Sequence, residues 1–197
     1  MIFLIRHGQT DFNREGRLQG RLDSRLTDEG MAQARRMAEH LRPFVAEHPH
    51  WDVIASPSLR TRHTARIVSE ALGLDGEIAI DPRVAEVDVG EWEGLTREDL
   101  EVVAPGVFGS VGWLCKAPGG ESYEDISERL GAWLAEIDEH DGRRRIVVSH
   151  GIAGRVLRHL YAREPAEQLW ATPSPPQDAV FRLHAGTIGR IDDSEVG

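Results

Sequence analysis

The tetrapeptide Arg6-His7-Gly8-Gln9 follows directly on an apolar run, Met1 to Ile5, that reads as a buried strand. A histidine delivered by a strand end beside an arginine is placed for nucleophilic chemistry rather than for core packing. The arrangement recurs far along the chain, where Arg145-Ile146-Val147-Val148-Ser149 leads into His150-Gly151. Two strands that each end in His-Gly predict one shared site. On open α/β sheets ligands gather at the carboxyl ends of the strands. Ser56-Pro57 marks a third such end, and Arg60 opens the helix after it, where free backbone donors favour an anion. Arg6, His7, Arg60 and His150 are therefore expected to converge on a small cationic pocket. Guanidinium groups hold phosphate bidentately and stay charged. A neutral imidazole whose other nitrogen is held by a backbone carbonyl can attack phosphorus. One histidine would attack while the other, protonated, stabilises the equatorial oxygens.

Departure of an alkoxide from phosphorus needs a proton donor. The segment Val84 to Gly94 offers one in Glu86, whose apolar neighbours would favour the protonated form, so that it could act as acid in one step and base in the next. Asp88, Glu91 and Glu93 lie close enough in sequence to compete for the role.

Short apolar strands that alternate with longer amphipathic stretches predict a three-layer α/β/α fold with a mostly parallel central sheet. Thr27 caps a first helix, with Met31, Ala34, Met37, Ala38, Leu41 and Phe44 on one face. Trp51 to Ala55 reads as a strand, followed by a helix that stops at Gly73. Ala79-Ile80 and Val84 to Val89 are weaker extended segments. Residues 90–120 carry Pro105, Pro118 and seven glycines without clear periodicity, and are expected to form a long excursion that serves as a lid. Ser122 with Asp125 makes a capping box for a further helix. The strand ending at Ser149, a helix over Gly151 to Arg163 and a hairpin of Ala179–His184 with Thr187–Ile191 complete the reading.

A chain of 197 residues with 40% apolar content suffices for one core, so residues 1–197 are expected to form a single domain. A net charge of −10 argues against a nucleic-acid or acidic membrane partner, so any basic site must be local. Cys115 is the only cysteine, which excludes an internal disulfide and a cysteine-based metal site and suits a reducing cytoplasm. Neither a signal peptide nor a membrane-spanning segment is expected. A homodimer is left open.

In sum these residues resemble the histidine phosphatase superfamily, in the branch that contains cofactor-dependent phosphoglycerate mutases. The resemblance runs through Arg6-His7-Gly8-Gln9-Thr10 with Asn13, Gln19-Gly20, Leu26-Thr27, Ser56-Pro57 with Arg60, Glu86, Trp92-Glu93-Gly94, Gly119-Gly120-Glu121-Ser122 and Val148-Ser149-His150-Gly151. It implies a phosphohistidine on His7, a phosphate pocket of Arg6, Arg60 and His150 with Asn13 near the transferring group, Glu86 as proton donor, and no metal or other cofactor. Ser58-Leu59 reverses the family's usual order after Ser56-Pro57, and His63 stands where glutamine is frequent. Neither position is assigned to chemistry.

Phosphatase and mutase share such a pocket and differ in whether water or a second substrate oxygen receives the phosphoryl group. The mutases that the chain resembles carry several basic side chains in an insertion after the catalytic glutamate. Here residues 90–120 offer only Arg97 and Lys116, with apolar Val102, Val103, Val107, Phe108, Val111, Trp113 and Leu114 instead. Hydrolysis of a small phosphorylated metabolite is the expected activity. A cofactor-dependent phosphoglycerate mutase is the alternative, and a non-catalytic phospholigand-binding domain the second. Gln19, Gly20, Phe108 and Trp113 are candidates to face the substrate, and for the two aromatics a satellite core is the competing reading. The histidines at 40, 48, 50, 140, 159 and 184 fall in no such pattern.

Overall fold

The apolar runs of the sequence become the strands of one six-stranded sheet in the order β3-β2-β4-β1-β5-β6. The computed structural model describes residues 1–48, 50–137, 141–164, 166–170 and 176–191. Its strands are β1 (Ile2–Arg6), β2 (Asp52–Ala55), β3 (Ile78–Ile80), β4 (Arg145–Ser149), β5 (Val180–His184) and β6 (Thr187–Ile191). The β3-β2, β2-β4 and β4-β1 pairs are parallel, whereas β1-β5 and β5-β6 are antiparallel. The central strands β1 and β4 are buried on both faces, which is why they read as continuous apolar runs instead of alternating ones.

The helices are α1 (Asp11–Arg14), α2 (Asp28–Ala46), α3 (Leu59–Leu72), α4 (Arg97–Val103), α5 (Tyr123–Ala135), α6 (Gly151–Ala162) and α7 (Ala166–Leu169). Two apolar clusters form, one on each face of the sheet. Phe3, Ile5, Met37, Leu41, Val68, Ile146 and Val148 join α2 and α3 to one face. Ile2, Leu4, Leu130, Trp133, Val147, Val156 and Leu157 join α5 and α6 to the other. Each fully buried aliphatic side chain contributes about 1.5–3 kcal/mol. The three-layer α/β/α architecture and the mostly parallel sheet follow from the same pattern.

The predicted caps are present. Thr27 accepts from the Gly30 amide at the start of α2, Ser122 and Asp125 form their reciprocal capping box, and Gly73 ends α3 in the left-handed region. Two readings change. Val84 to Val89 forms no strand and instead leaves a short 3-10 turn at Pro82–Val84 as a looped segment. The excursion after Glu86 contains α4, begun by a capping box of Thr96 and Asp99 that its glycines and prolines obscured.

Candidate active site

The strands β1, β2 and β4 end side by side, and backbone bonds tie the ends together. The His7 amide donates to Ser149 O at 3.1 Å, and the Ser56 amide to Val148 O at 3.1 Å. This registration brings His7 and His150 together with ring centroids 5.2 Å apart. The loop after His7 is fixed by a close backbone approach, since a Cβ on Gly8 would lie 2.1 Å from Gly30 O and one on Gly30 would lie 2.0 Å from Gln9 O. Only glycine fits at either position.

His7 is 3% exposed, and its Nδ1 donates to Gly8 O at 2.8 Å. A carbonyl can only accept, so the hydrogen sits on Nδ1 and Nε2 keeps its lone pair. Burial first, then the Arg6 and Arg60 charges, hold its pKa well below the usual histidine value. His150 is likewise depressed by burial, then by Arg60, His7 and Arg6, and its Nε2 shares a 2.8 Å hydrogen bond with Ser56 Oγ. Both imidazoles are therefore neutral at pH 7. Two guanidinium groups in a buried pocket disfavour a third positive charge, so the protonated partner histidine expected from the sequence needs the negative charge of a bound phosphoryl group.

Arg60 is wholly buried and reaches back from α3 to the segment after Gln19, donating from Nη2 to Gly20 O at 2.7 Å and from Nη1 to Leu22 O at 2.8 Å and Asp23 Oδ1 at 3.3 Å. The α3 start does not present open donors as expected. Asp23 Oδ1 accepts from the Leu59 amide at 2.9 Å, and the Ser58 side chain accepts from the Thr61 amide. Burial lowers the proton affinity of both Arg6 and Arg60, opposed in each case by Glu86. The Nε of Arg6, the Nε of Arg60 and the Nδ1 of His150 are buried without a hydrogen-bond partner among the described residues. Arg6 and His150 line the cavity that also holds His7 and Glu86, whereas Arg60 is not part of its lining and acts on the histidines through its charge. The free Arg6 and His150 atoms suit an anion rich in acceptor oxygens.

Glu86 is 8% exposed and takes the place of a capping side chain for α6, whose N-cap residue His150 supplies none. Its carboxylate accepts from the Val87 amide at 3.0 Å, Ala153 at 2.9 Å and Ile152 at 3.2 Å. The competing carboxylates are engaged or outside. Asp88 accepts from the Gly90 amide, Glu91 is exposed, and Glu93 accepts from the amides of Gly20, Arg21 and Leu22. Among these four, only Glu86 lines the cavity that holds His7 and His150. Its backbone is clasped by Arg129 of α5, which donates to Arg83 O at 2.7 Å, Ala85 O at 2.9 Å and Glu86 O at 3.1 Å while pairing with Glu121 at 2.7 and 2.9 Å.

The cavity holds about 240 Å³ and is lined by Arg6, His7, Asn13, Gln19, Glu86 and His150 around its catalytic end. Gly20 lines a smaller neighbouring cleft that also reaches Glu86 and His150. Asn13 Oδ1 accepts from the Thr10 amide at 3.2 Å and from Gln177 Nε2 at 3.0 Å, and the same Gln177 group donates to His7 O. Gln19 Oε1 accepts from Thr10 Oγ1 at 2.9 Å.

The lid expectation is corrected for the aromatics. Phe108 and Trp113 meet edge to face with ring centroids 4.9 Å apart, Trp92 lies 6.1 Å from Trp113, and the group packs on the core as a satellite. Of the apolar side chains expected from residues 90–120, only Leu114 lines the cavity, and Val102, Val103 and Val111 face solvent. Leu18, Val87, Val89 and Phe181 supply the remaining large apolar wall, beside Leu4, Ile5 and Ile152. Sequence reasoning missed Gln177, Arg129 and Arg158. Glu121 had been noted without a role, whereas the three others carry no local signal. His140 lies outside the described residues, and no group of three His, Cys, Asp or Glu among the described residues is placed to hold a metal ion.

Residues 2–186 match the family model of the histidine phosphatase superfamily (branch 1). A protein named "Probable phosphoglycerate mutase GpmB" from Enterobacter sp. (strain 638) is 40% identical over 98% of this chain and 85% of its own length. Among solved structures, Bacillus stearothermophilus YhfR superposes with a TM-score of 0.77 at 29% identity, covering 95% of this chain and 93% of the other. The mycobacterial glucosyl-3-phosphoglycerate phosphatase superposes with a TM-score of 0.78 at 26% identity, over 91% and 90% of the two chains. The alpha-ribazole phosphatase from Shigella flexneri gives 0.77 at 25% identity, over 95% and 92%.

Proposed function

The chain belongs to the histidine phosphatase superfamily (branch 1), and from that membership we propose that it hydrolyses small phosphate monoesters through a phosphohistidine on His7, with no metal. The observation that carries the reading is the His7–His150 pair, 5.2 Å apart, in one cavity with Arg6 and Glu86 and close to the buried Arg60.

In the first step the Nε2 lone pair of His7 attacks phosphorus, the phosphorus–oxygen bond to the leaving group breaks, and the proton of Glu86 goes to the departing oxygen. Arg6, Arg60 and His150 stabilise the equatorial oxygens, with Asn13 beside them. A substrate bound as its monoanion gives its proton to His150, and the phosphate product carries that proton away when it leaves. In the second step a water oxygen attacks the phosphohistidine, its proton passes to the Glu86 carboxylate, and the phosphorus–nitrogen bond breaks to release phosphate and restore Nε2.

Hydrolysis is favoured over phosphoglycerate mutation because residues 90–120 place neither Arg97 nor Lys116 along the cavity. Arg97 instead stacks 3.9 Å from the Phe108 ring centroid. The relatives named as mutases keep the alternative in view. A cytoplasmic place of action, suited to the single free thiol of Cys115, belongs to the same proposal.

The test is hydrolysis of p-nitrophenyl phosphate in the presence of a chelator, by the wild type and by His7→Ala. Turnover that disappears in the variant supports the reading, and absence of turnover or its persistence in the variant sinks it. Supplying 3-phosphoglycerate with and without 2,3-bisphosphoglycerate separates the two enzymes. Phosphate release faster than isomerisation is expected, and cofactor-stimulated isomerisation outpacing release would favour the mutase.

A further inference from the structure

The cavity does not end at the phosphoryl pocket. It continues along one face of α6, past Gly151 and Gly154, to Arg158. These three positions follow one another at spacings of three and four residues, so they share a face of the helix. The two glycines let other cavity-lining side chains close on the helix, the Arg6 guanidinium against Gly151 and Leu4 against Gly154, so the cavity wall runs without a break from the histidines to Arg158. Arg158 starts eight residues beyond His150, about 12 Å along the axis. Helical side chains lean toward the N-terminus, and Arg158 accordingly lines the cavity that holds His7 and His150, while also bordering a second cleft with Arg155, His159 and Glu164.

Arg158 is partly buried, and its guanidinium lies 3.9 Å from the centroid of the Phe181 ring, another wall of the cavity. It has no carboxylate partner among the described residues, whereas Arg17, the other outlying arginine of the cavity, is neutralised by Glu15 at 2.8 Å. Burial and the neighbouring Arg155 lower the Arg158 pKa to about 10, which still leaves it charged at neutral pH. A cation held against an aromatic face in a cavity where Glu86 is the only carboxylate is a receptor for an anion.

We propose that Arg158 is a specificity-determining residue that binds a second anionic group, a carboxylate or a further phosphate, carried by the leaving portion of the phosphomonoester substrate several bonds from phosphorus. The proposal rests on the phosphomonoesterase reading of the site and deepens it. It also moves the substrate-reading cation from the segment after Glu86, where it was sought, to α6.

The experiment uses unhydrolysable ligands, so that its outcome does not depend on turnover. Binding of ω-phosphonocarboxylic acids of increasing chain length, of their methyl esters and of the matching bisphosphonates is measured by calorimetry on the full chain. For the wild type the doubly anionic ligands are expected to bind about tenfold more tightly than the ester of the same length, with an optimum at intermediate length. The tighter of the two doubly anionic series names the second anion. In Arg158→Gln the ratio is expected to fall to about one, and Arg158→Lys is expected to restore part of it. A ratio near one for the wild type at every length would overturn the proposal, even if the variants fail to fold. So would an undiminished ratio in Arg158→Gln. Failure of the phosphatase reading registers separately, as absence of p-nitrophenyl phosphate turnover.

Discussion

Replacing Arg129 with methionine keeps the unbranched stem of the side chain and removes a guanidinium that makes five hydrogen bonds, three to the backbone carbonyls of Arg83, Ala85 and Glu86 and two to the Glu121 carboxylate. The side chains of Arg129 and Glu121 are 16% and 17% exposed. Breaking a fully buried ion pair costs about 3–5 kcal/mol, and this residual exposure brings the expected loss to about 2–4 kcal/mol. That is below the roughly 5–15 kcal/mol of a typical domain, so the variant folds. Its catalytic effect is selective, because the freed carbonyls belong to the segment that ends in the Glu86 carboxylate. A misplacement on the order of 1 Å costs up to about a hundredfold in a positioned step. The assay is kcat/KM, which reports events up to formation of the phosphohistidine, for an alkyl phosphate and for p-nitrophenyl phosphate. The alkoxide needs the proton and should slow by about 10–100-fold, while the nitrophenolate departs without it and should slow far less. Equal slowing of both substrates, or a stability loss with no change in their ratio, would refute the claim that Arg129 positions the acid.

Further outcomes follow from the same geometry. Because the folded pKa values of His7 and His150 lie well below 6.5, the unfolded chain binds more protons beneath that pH, so stability is fully present above about pH 6.5 and falls as the pH drops. Thermal midpoints from pH 7.5 to 5.5 should show this decline, weakened in the His7→Gln/His150→Gln double variant, and an equal decline in that variant would contradict it. Ser56→Ala removes the partner of His150 Nε2 inside the core and should cost about 1–3 kcal/mol in denaturant unfolding, together with a loss of phosphate affinity. Unchanged affinity would show that Ser56 does not orient the ring. Gly30→Ala forces a methyl against Gln9 O and should reduce kcat more than it alters far-ultraviolet circular dichroism. Full activity would mean that the loop after His7 tolerates displacement.

The strands and their order of burial were legible because central parallel strands are apolar on both faces, and the caps of α2, α3 and α5 were legible because their signals are local. The helix within the excursion was not legible because α4 is only seven residues long and is flanked by glycines. His7, His150 and Arg60 could be placed because strand ends and a helix start bring them together. Arg129 could not, since its partners lie 43 to 46 residues away in sequence and nothing in an amphipathic helix marks one arginine as a clasp. Gln177 reaches His7 across 170 residues. The lowered pKa values of His7 and His150 were not legible for a related reason, because burial and the sum of neighbouring charges are properties of the folded pocket.

The central claim is a covalent phosphoryl group on His7. Rapid mixing with a phosphomonoester, a quench at alkaline pH to preserve phosphohistidine, and peptide mass spectrometry test it directly. The account predicts a phosphoryl adduct on the His7 peptide that accumulates in Glu86→Gln when a good leaving group is used, and that is absent in His7→Ala. Turnover with the phosphoryl group on another residue, or with no adduct under conditions where Glu86→Gln stalls, would contradict it.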